Sequence, residues 1–209
     1  MEEDALYAYG VIDGEAVEFE TEGVGGAQRA YSVGDDSLFA VVTDVDTLDP
    51  ERSDENVRAH NEVLQQLLEY DGGRTVVPMQ FGMAFKDERT LQNLLSETRP
   101  AFTKALEEVE NTVELGLKVI TEAGADVDRS AIQAEVADRF DELAVSSTAD
   151  DLFSERLVSN RSFLVDRDDR EAFDQAVGEF EADHDDLLVQ YTGPWPPYNF
   201  VDIQIGAKQ

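Results

Sequence analysis

An α+β protein of two domains is what this sequence predicts, and three observations carry the prediction. Segments with apolar residues at every second position alternate with segments where they recur every three to four, the signatures of strands and helices. After a long helical stretch the pattern restarts with a new strand at Asn111-Thr112. The chain has 209 residues with 42% hydrophobic content, enough to bury two cores. The expected division is an N-terminal α+β domain over residues 1–110, a second α+β domain over 111–192, and an extended arm over 193–209 that packs back on the first domain.

Residues 6–12 read as the first strand. Asp13-Gly14 and the alternating run 15–19 then predict a hairpin, because the favoured two-residue turn needs positive φ. Strands are expected at 29–33 and 38–43. Ser53 caps the next element, a helix over 53–70 with Asp54 and Glu55 in its first turn and an apolar face of Val57, Leu64, Leu67 and Leu68, ended by Gly72-Gly73. His60 falls on that face and reads as a buried, hydrogen-bonded core residue. The apolar run 75–85 contains Pro78 and so belongs at a sheet edge or bulge, with Gly82 marking a close backbone approach. Leu91, Leu94, Leu95, Thr98, Phe102, Ala105, Leu106 and Val109 keep helical spacing through Pro100, which predicts one long helix kinked there.

In the second domain Val113, Leu115, Leu117 and Val119 line one face of a strand. A helix follows through Ile132, Val136, Phe140 and Leu143, then a strand at 162–166. A helix opened by Asp168 and Glu171 as a capping box is buried through Phe173, Ala176, Val177 and Phe180, and Leu187, Val189 and Tyr191 form a closing strand. Strand, helix, a middle strand region, helix, strand is the outline of a ferredoxin-like sandwich. Residues 144–158 carry little pattern. The stretch Thr192-Gly193-Pro194-Trp195-Pro196-Pro197-Tyr198-Asn199-Phe200 holds the one tryptophan and reads as a stiff polyproline-II-like arm projecting Trp195, Tyr198 and Phe200.

Charge excludes several function classes. There are 47 acids against 16 bases, a net charge of −31, with 24 acids and 8 bases through Val109 and 23 and 8 after it. No basic patch exists to engage nucleic acid or an anionic membrane. An even acidic coat on a chain able to fold suggests a molar-salt interior, where a Debye length of roughly 3 Å suppresses self-repulsion. Such a chain is expected to unfold on dialysis to low salt. The absence of cysteine excludes disulfides and thiolate metal sites. The acidic start, Met1-Glu2-Glu3-Asp4, and the lack of a long apolar run predict a cytoplasmic protein.

No nucleophile elbow, catalytic triad, dinucleotide loop or calcium loop is present, so neither enzyme activity nor a cofactor or metal is expected. The carboxylate groups at Asp44, Asp46 and Asp49, at Asp166, Asp168 and Asp169, and at Asp183, Asp185 and Asp186 beside His184 read as solvated surface. What stands out is apolar: Met79, Phe81, Met83 and Phe85 in one run, and Trp195, Tyr198 and Phe200 in the other. Large apolar groups of this kind are either buried against each other as a domain interface or used to hold a hydrophobic partner.

Several of these segments together resemble the gas vesicle protein F/L family, in its halophilic archaeal form. They are Leu6-Tyr7-Ala8-Tyr9-Gly10, Ala59-His60-Asn61-Glu62-Val63-Leu64, Thr75-Val76-Val77-Pro78-Met79-Gln80-Phe81-Gly82, Glu114-Leu115-Gly116-Leu117-Lys118-Val119, Phe163-Leu164-Val165-Asp166-Arg167 and Gly193-Pro194-Trp195-Pro196-Pro197-Tyr198-Asn199-Phe200. The Pro-Met-Gln-Phe-Gly and Gly-Pro-Trp-Pro-Pro-Tyr runs are the specific ones. The resemblance implies an accessory or minor structural protein of gas vesicle formation, associated with the vesicle, whose second domain is a modified ferredoxin-like fold. It implies as partners the small hydrophobic shell protein (GvpA-like) and other gas vesicle accessory proteins. The competing class is a small-ligand regulatory module on the same outline. The contact is expected on the first domain's sheet and the helix over 53–70.

Overall fold

The structure, a computed structural model, describes residues 5–122 and 127–203. The expectations placed on Met1-Glu2-Glu3-Asp4 and on residues 204–209 of the arm lie outside them. The chain falls into two compact units, one from the residues through Glu110 with the chain from Val201 onward, the other Asn111–Phe200.

The first unit is organised around β1 (Ala5–Asp13), buried at every position from Ala5 to Ile12. A strand without a polar face must be covered on both sides. Its sheet partners are β4 (Leu38–Val45), antiparallel on one side, and on the other β5 (Val77–Pro78) and β6 (Ala84–Phe85), two residues each. β3 (Arg29–Asp35) and β2 (Glu18–Glu20) complete the sheet beyond β4, in the order β2-β3-β4-β1-β5. The predicted β1–β2 hairpin is therefore not formed. Gly14 does turn, at φ +87°, but its N–H donates to Ser37 O at 3.0 Å, and β2 pairs with β3. Asp-Gly specifies a local reversal, whereas the neighbours of β1 are selected by strands able to bury it.

A bulge at Tyr9 shifts the β1–β4 register between Ala8 and Gly10. It moves the inward face by one residue, so Ala5, Tyr7, Tyr9 and then Ile12 join one core cluster. That cluster is closed by α1 (Asp54–Glu69) through Val63, Leu64, Leu67 and Leu68. Ser53 caps α1 by accepting from Asn56 N–H, as predicted. The long helix α2 (Glu88–Glu108), capped by Asp87, runs through Pro100 as a single element and contacts β3, β4 and β1. Gly82 sits at φ +98° with open space where a Cβ would be. Its need is backbone conformation, not the close approach expected.

The second unit runs β7 (Thr112–Thr121), α3 (Arg129–Phe140), β8 (Ser146–Ala149), β9 (Leu157–Asp166), α4 (Arg170–Asp183) and β10 (Leu187–Trp195). Every pairing is antiparallel and the strand order is β10-β7-β9-β8. Alternate residues of β7, from Val113 to Val119, pack with Phe163 and Val165 of β9 against Phe140, Phe173, Val177 and Phe180 of the helices. The four phenylalanines form one ring cluster, with Phe140 5.2–5.9 Å from each of the other three. The lead-in to α4 is a 3-10 turn whose cap is Asp166, accepting from Asp168 N–H at 2.9 Å, and not the Asp168–Glu171 box expected. The closing strand is longer than predicted: after a bulge beyond Thr192 it continues to Trp195, opposite Glu114.

Candidate functional site

Residues 77–85 leave β1's edge at β5 and return at β6, and the loop between them is tied down by backbone bonds. Met79 N–H donates to Tyr9 O and Ala8 N–H to Met83 O, both at 2.8 Å. Tyr7 beneath adds a side-chain anchor to this loop, and Tyr9 anchors a different one. The Tyr7 hydroxyl accepts from Gly82 N–H at 3.1 Å and bonds His60 Nδ1 at 2.9 Å. The Tyr9 hydroxyl accepts from Val24 N–H and bonds the Thr43 hydroxyl, each at 2.9 Å. Each phenol thus holds a surface loop with one contact and the core with the other.

His60 is 3% exposed and enclosed by the rings of Tyr7, Tyr9 and Phe81, with centroids 5.5–5.8 Å away. Tyr7 Oη and His60 Nδ1 share one hydrogen bond, and the ring's Nε2 is buried with no hydrogen-bond partner among the described residues. Burial drives its pKa down to about 4, against the opposing pull of the Met79 carbonyl, and Arg52 acts in the same direction as burial. Burial likewise raises the pKa of Tyr7 and of Tyr9. A neutral, enclosed imidazole bonded to the Tyr7 hydroxyl is a packing element of this unit.

The run's four side chains do not share one patch. Met79 is buried. Phe81 is half-buried over Tyr7 and His60, with the Arg52 guanidinium 5.4 Å above its ring. Phe85 lies opposite Leu6, on the sheet face away from Tyr7, and Met83 stands between, both half-buried. The result is an apolar lip along the β1 edge, partly exposed and fixed from below.

Trp195, Tyr198 and Phe200 belong to the other unit. Trp195 and Phe200 are half-buried and Tyr198 is 38% exposed. The polyproline-II-like rod expected here is not formed. The chain enters as strand, then turns, with Tyr198 N–H donating to Pro196 O and Phe200 N–H to Pro197 O. The turn is held by Glu114 of β7. Its buried carboxylate accepts from Asn199 N–H at 2.9 Å and from Asn199 Nδ2 at 2.6 Å, and Asn199 Nδ2 also donates to Ser162 Oγ at 3.0 Å. Burial raises the Glu114 pKa, against the contrary effect of those Asn199 and Ser162 hydrogen bonds. A carboxylate at mid-strand opposite a helix-covered face was the available signal for this latch.

A void of about 320 Å³ in the second unit is lined by Gln133, Asp150, Leu152, Asn160 and Arg161. Most of its polar groups are bonded to the protein itself: Gln133 to Val158 O, Asn160 to Asp151 O, Asp150 to Ser162, and Arg161 to Asp141 and Ser147, with the buried Arg161 Nε left without a partner among the described residues. Of the carboxylate groups noted in the sequence, Asp44 accepts from Tyr31, Asp166 caps a turn and Asp183 pairs with Arg139. Among the described residues no cluster suited to a metal ion occurs, and no helix is long and apolar enough to cross a membrane.

Comparison with known proteins places this architecture. The family model described as gas vesicle synthesis protein GvpL/GvpF matches residues 5–128 and 120–202. Gas vesicle protein F of Haloferax mediterranei is 56% identical over 207 residues, spanning 99% of this chain and 97% of the relative. Gas vesicle protein F1 of Halobacterium salinarum is 52% identical over 98% of this chain and 96% of its own. Both sources are halophilic archaea. The crystal structure of the gas vesicle protein GvpF from Anabaena sp. PCC7120 superposes with a TM-score of 0.85 at 20% identity, covering 96% of this chain and 97% of that one. That of GvpF from Microcystis aeruginosa gives 0.82 at 15% identity, covering 95% and 99%. With a matching family model and relatives sharing more than half their residues along the whole length, the chain belongs to the GvpL/GvpF family of gas vesicle synthesis proteins.

Proposed function

We propose that this protein binds the small hydrophobic shell protein of the gas vesicle in the cytoplasm and keeps it soluble until it joins the growing wall, acting as an accessory or minor structural component. The observation that carries the reading is the lip formed by Phe81, Met83 and Phe85: apolar, half-buried, and held by Tyr7 and by backbone bonds to β1. A rigid apolar edge orders at little entropic cost when a partner covers it. The surrounding coat of carboxylates, at a net charge of −31, keeps the loaded complex hydrated and soluble. In this reading residues 1–110 are the shell-binding domain. Residues 111–192 form a modified ferredoxin-like domain, supported by the β-α-β-β-α-β order and the β10-β7-β9-β8 sheet. The aromatic arm over 193–209 and contacts with other gas vesicle accessory proteins complete the assembly role. The internally bonded polar groups around the 320 Å³ void weigh against the small-ligand alternative.

The test is co-purification of the shell protein with this chain in molar salt. Phe81→Ala is expected to reduce retention at least tenfold while Trp195→Ala reduces it less. Undiminished retention by a Phe81→Ala, Met83→Ala double variant rules the lip out as the contact.

A further inference from the structure

Sheet edges present unpaired backbone groups to any extended chain, and folded proteins guard them with shortness, charge, proline or bulges. Among the described residues, three of the four sheet edges are guarded. β2 has three residues, two of them exposed glutamates; β5 and β6 have two each, with Pro78 in β5; β8 has four and no large side chain. β10 differs from all of them. It is nine residues long, and from Leu187 to Thr192 it pairs in unbroken register with Thr121 to Gly116. No residue from 187 to 192 is charged, and its bulge and Pro194 come only beyond Thr192.

The side chains of this edge are incompletely covered. On the helix side Leu187, Val189 and Tyr191 are half-buried, where Leu117 and Val119 of the neighbouring β7 are fully buried. The helix-side layer is thus one strand short. On the outer face Leu188 is 52% exposed beside Ile120. Carboxylates flank the segment: Asp185 and Asp186 precede it, Glu122 follows the partner of Leu187, and Asp174, 3.8 Å from Arg170, accepts from the Tyr191 hydroxyl, while the cation opposite Gln190, Lys118, lies over the Phe153 ring at 5.4 Å. A second copy at a net charge of −31 brings more negative charge to the same place.

We propose that β10 is a docking edge that receives, as a fifth strand, an extended segment of another protein in which apolar residues alternate with lysine or arginine. The apolar side chains complete the layer over Leu187, Val189 and Tyr191, the backbone pairs with the free edge, and the cations meet the flanking carboxylates. This goes beyond the shell-protein reading, which concerns the first unit, and holds or fails separately from it.

The probe is a nine-residue peptide of alternating valine and lysine, added to the full chain at the lowest salt that preserves native circular dichroism. Binding is followed by fluorescence anisotropy and hydrogen exchange. Expected are at least tenfold slower exchange over residues 187–192, no binding of the valine–glutamate analogue, and at least tenfold weaker binding by Leu188→Lys with Gln190→Lys. The same two charges at exposed Gln66→Lys and Asn93→Lys leave binding intact. Several results overturn the proposal: no binding, equal binding of the acidic analogue, insensitivity to the edge lysines, or a dimer that Leu188→Lys disperses, which assigns the edge to a second copy. Shell-protein retention sensitive to Phe81→Ala but not to Leu188→Lys separates failure here from failure of the first-unit reading.

Discussion

The two units bury their cores by different means. In the first, the core between the sheet and α1 contains two phenols of β1 and the imidazole of α1: Tyr7, Tyr9 and His60 are buried, and the two hydroxyls reach out to hold Gly82 and Val24. In the second, the core under the helices is built on the Phe140, Phe163, Phe173 and Phe180 cluster, with the Arg161 guanidinium 5.3 Å from the Phe163 ring at its margin. Its polar latch, Glu114 with Asn199 and Ser162, lies on the opposite side of the sheet. The lesson is that a polar core transmits rigidity to surface loops, whereas an apolar core supplies stability and leaves anchoring to the other face.

The comparison breaks most readily in the second unit. Phe140→Ala removes the ring that touches the three others and is expected to cost about 3–5 kcal/mol by urea unfolding in molar salt. A smaller loss would mean that the cluster collapses around the gap.

Acid sharpens the contrast. His60 has a folded pKa near 4 against 6.5 unfolded, so its neutral burial contributes fully above pH 6.5 and is lost as pH falls towards 4, roughly 3 kcal/mol in all. Glu114 has the opposite sign: its raised pKa means that protonation relieves a buried charge, so its contribution grows on acidification. Exchange of amides in α1 should therefore accelerate between pH 6.5 and 4, after correction for intrinsic rates, in wild type but not in His60→Leu. Amides of β7 should not follow that slope. The smallest expected effect is Asn199→Ala, about 1–3 kcal/mol from leaving the Glu114 carboxylate short of donors, with faster proteolysis near Tyr198 as its local readout.

Much of this was legible in the chain. The Ser53 cap, the apolar face of α1, the long α2 and the alternation of β7 are local patterns that tertiary contacts reinforce. Pairing was not local. Asp13-Gly14 signalled a turn correctly, but the unbroken apolar run from Ala5 to Ile12, with Gly10 the one small interruption, marked a central strand that a charged three-residue neighbour could not cover. β8, Ser-Ser-Thr-Ala, has no apolar alternation, and its place is set by β9. In the candidate site, Phe81 stands out in the sequence by its chemistry, but its support by Tyr7, 74 positions earlier, does not, because the link is a hydroxyl to the Gly82 backbone. The arm was read from its aromatics and prolines, while the residue that bends it is the amide between them, Asn199.

Hydrogen exchange of the whole chain with and without the shell protein, in molar salt, tests the central claim most directly. The lip reading predicts new protection across residues 77–85 and the adjoining strand β1, with α3 and α4 unchanged. Protection confined to the second unit, or none at all while the two proteins co-purify, would contradict it.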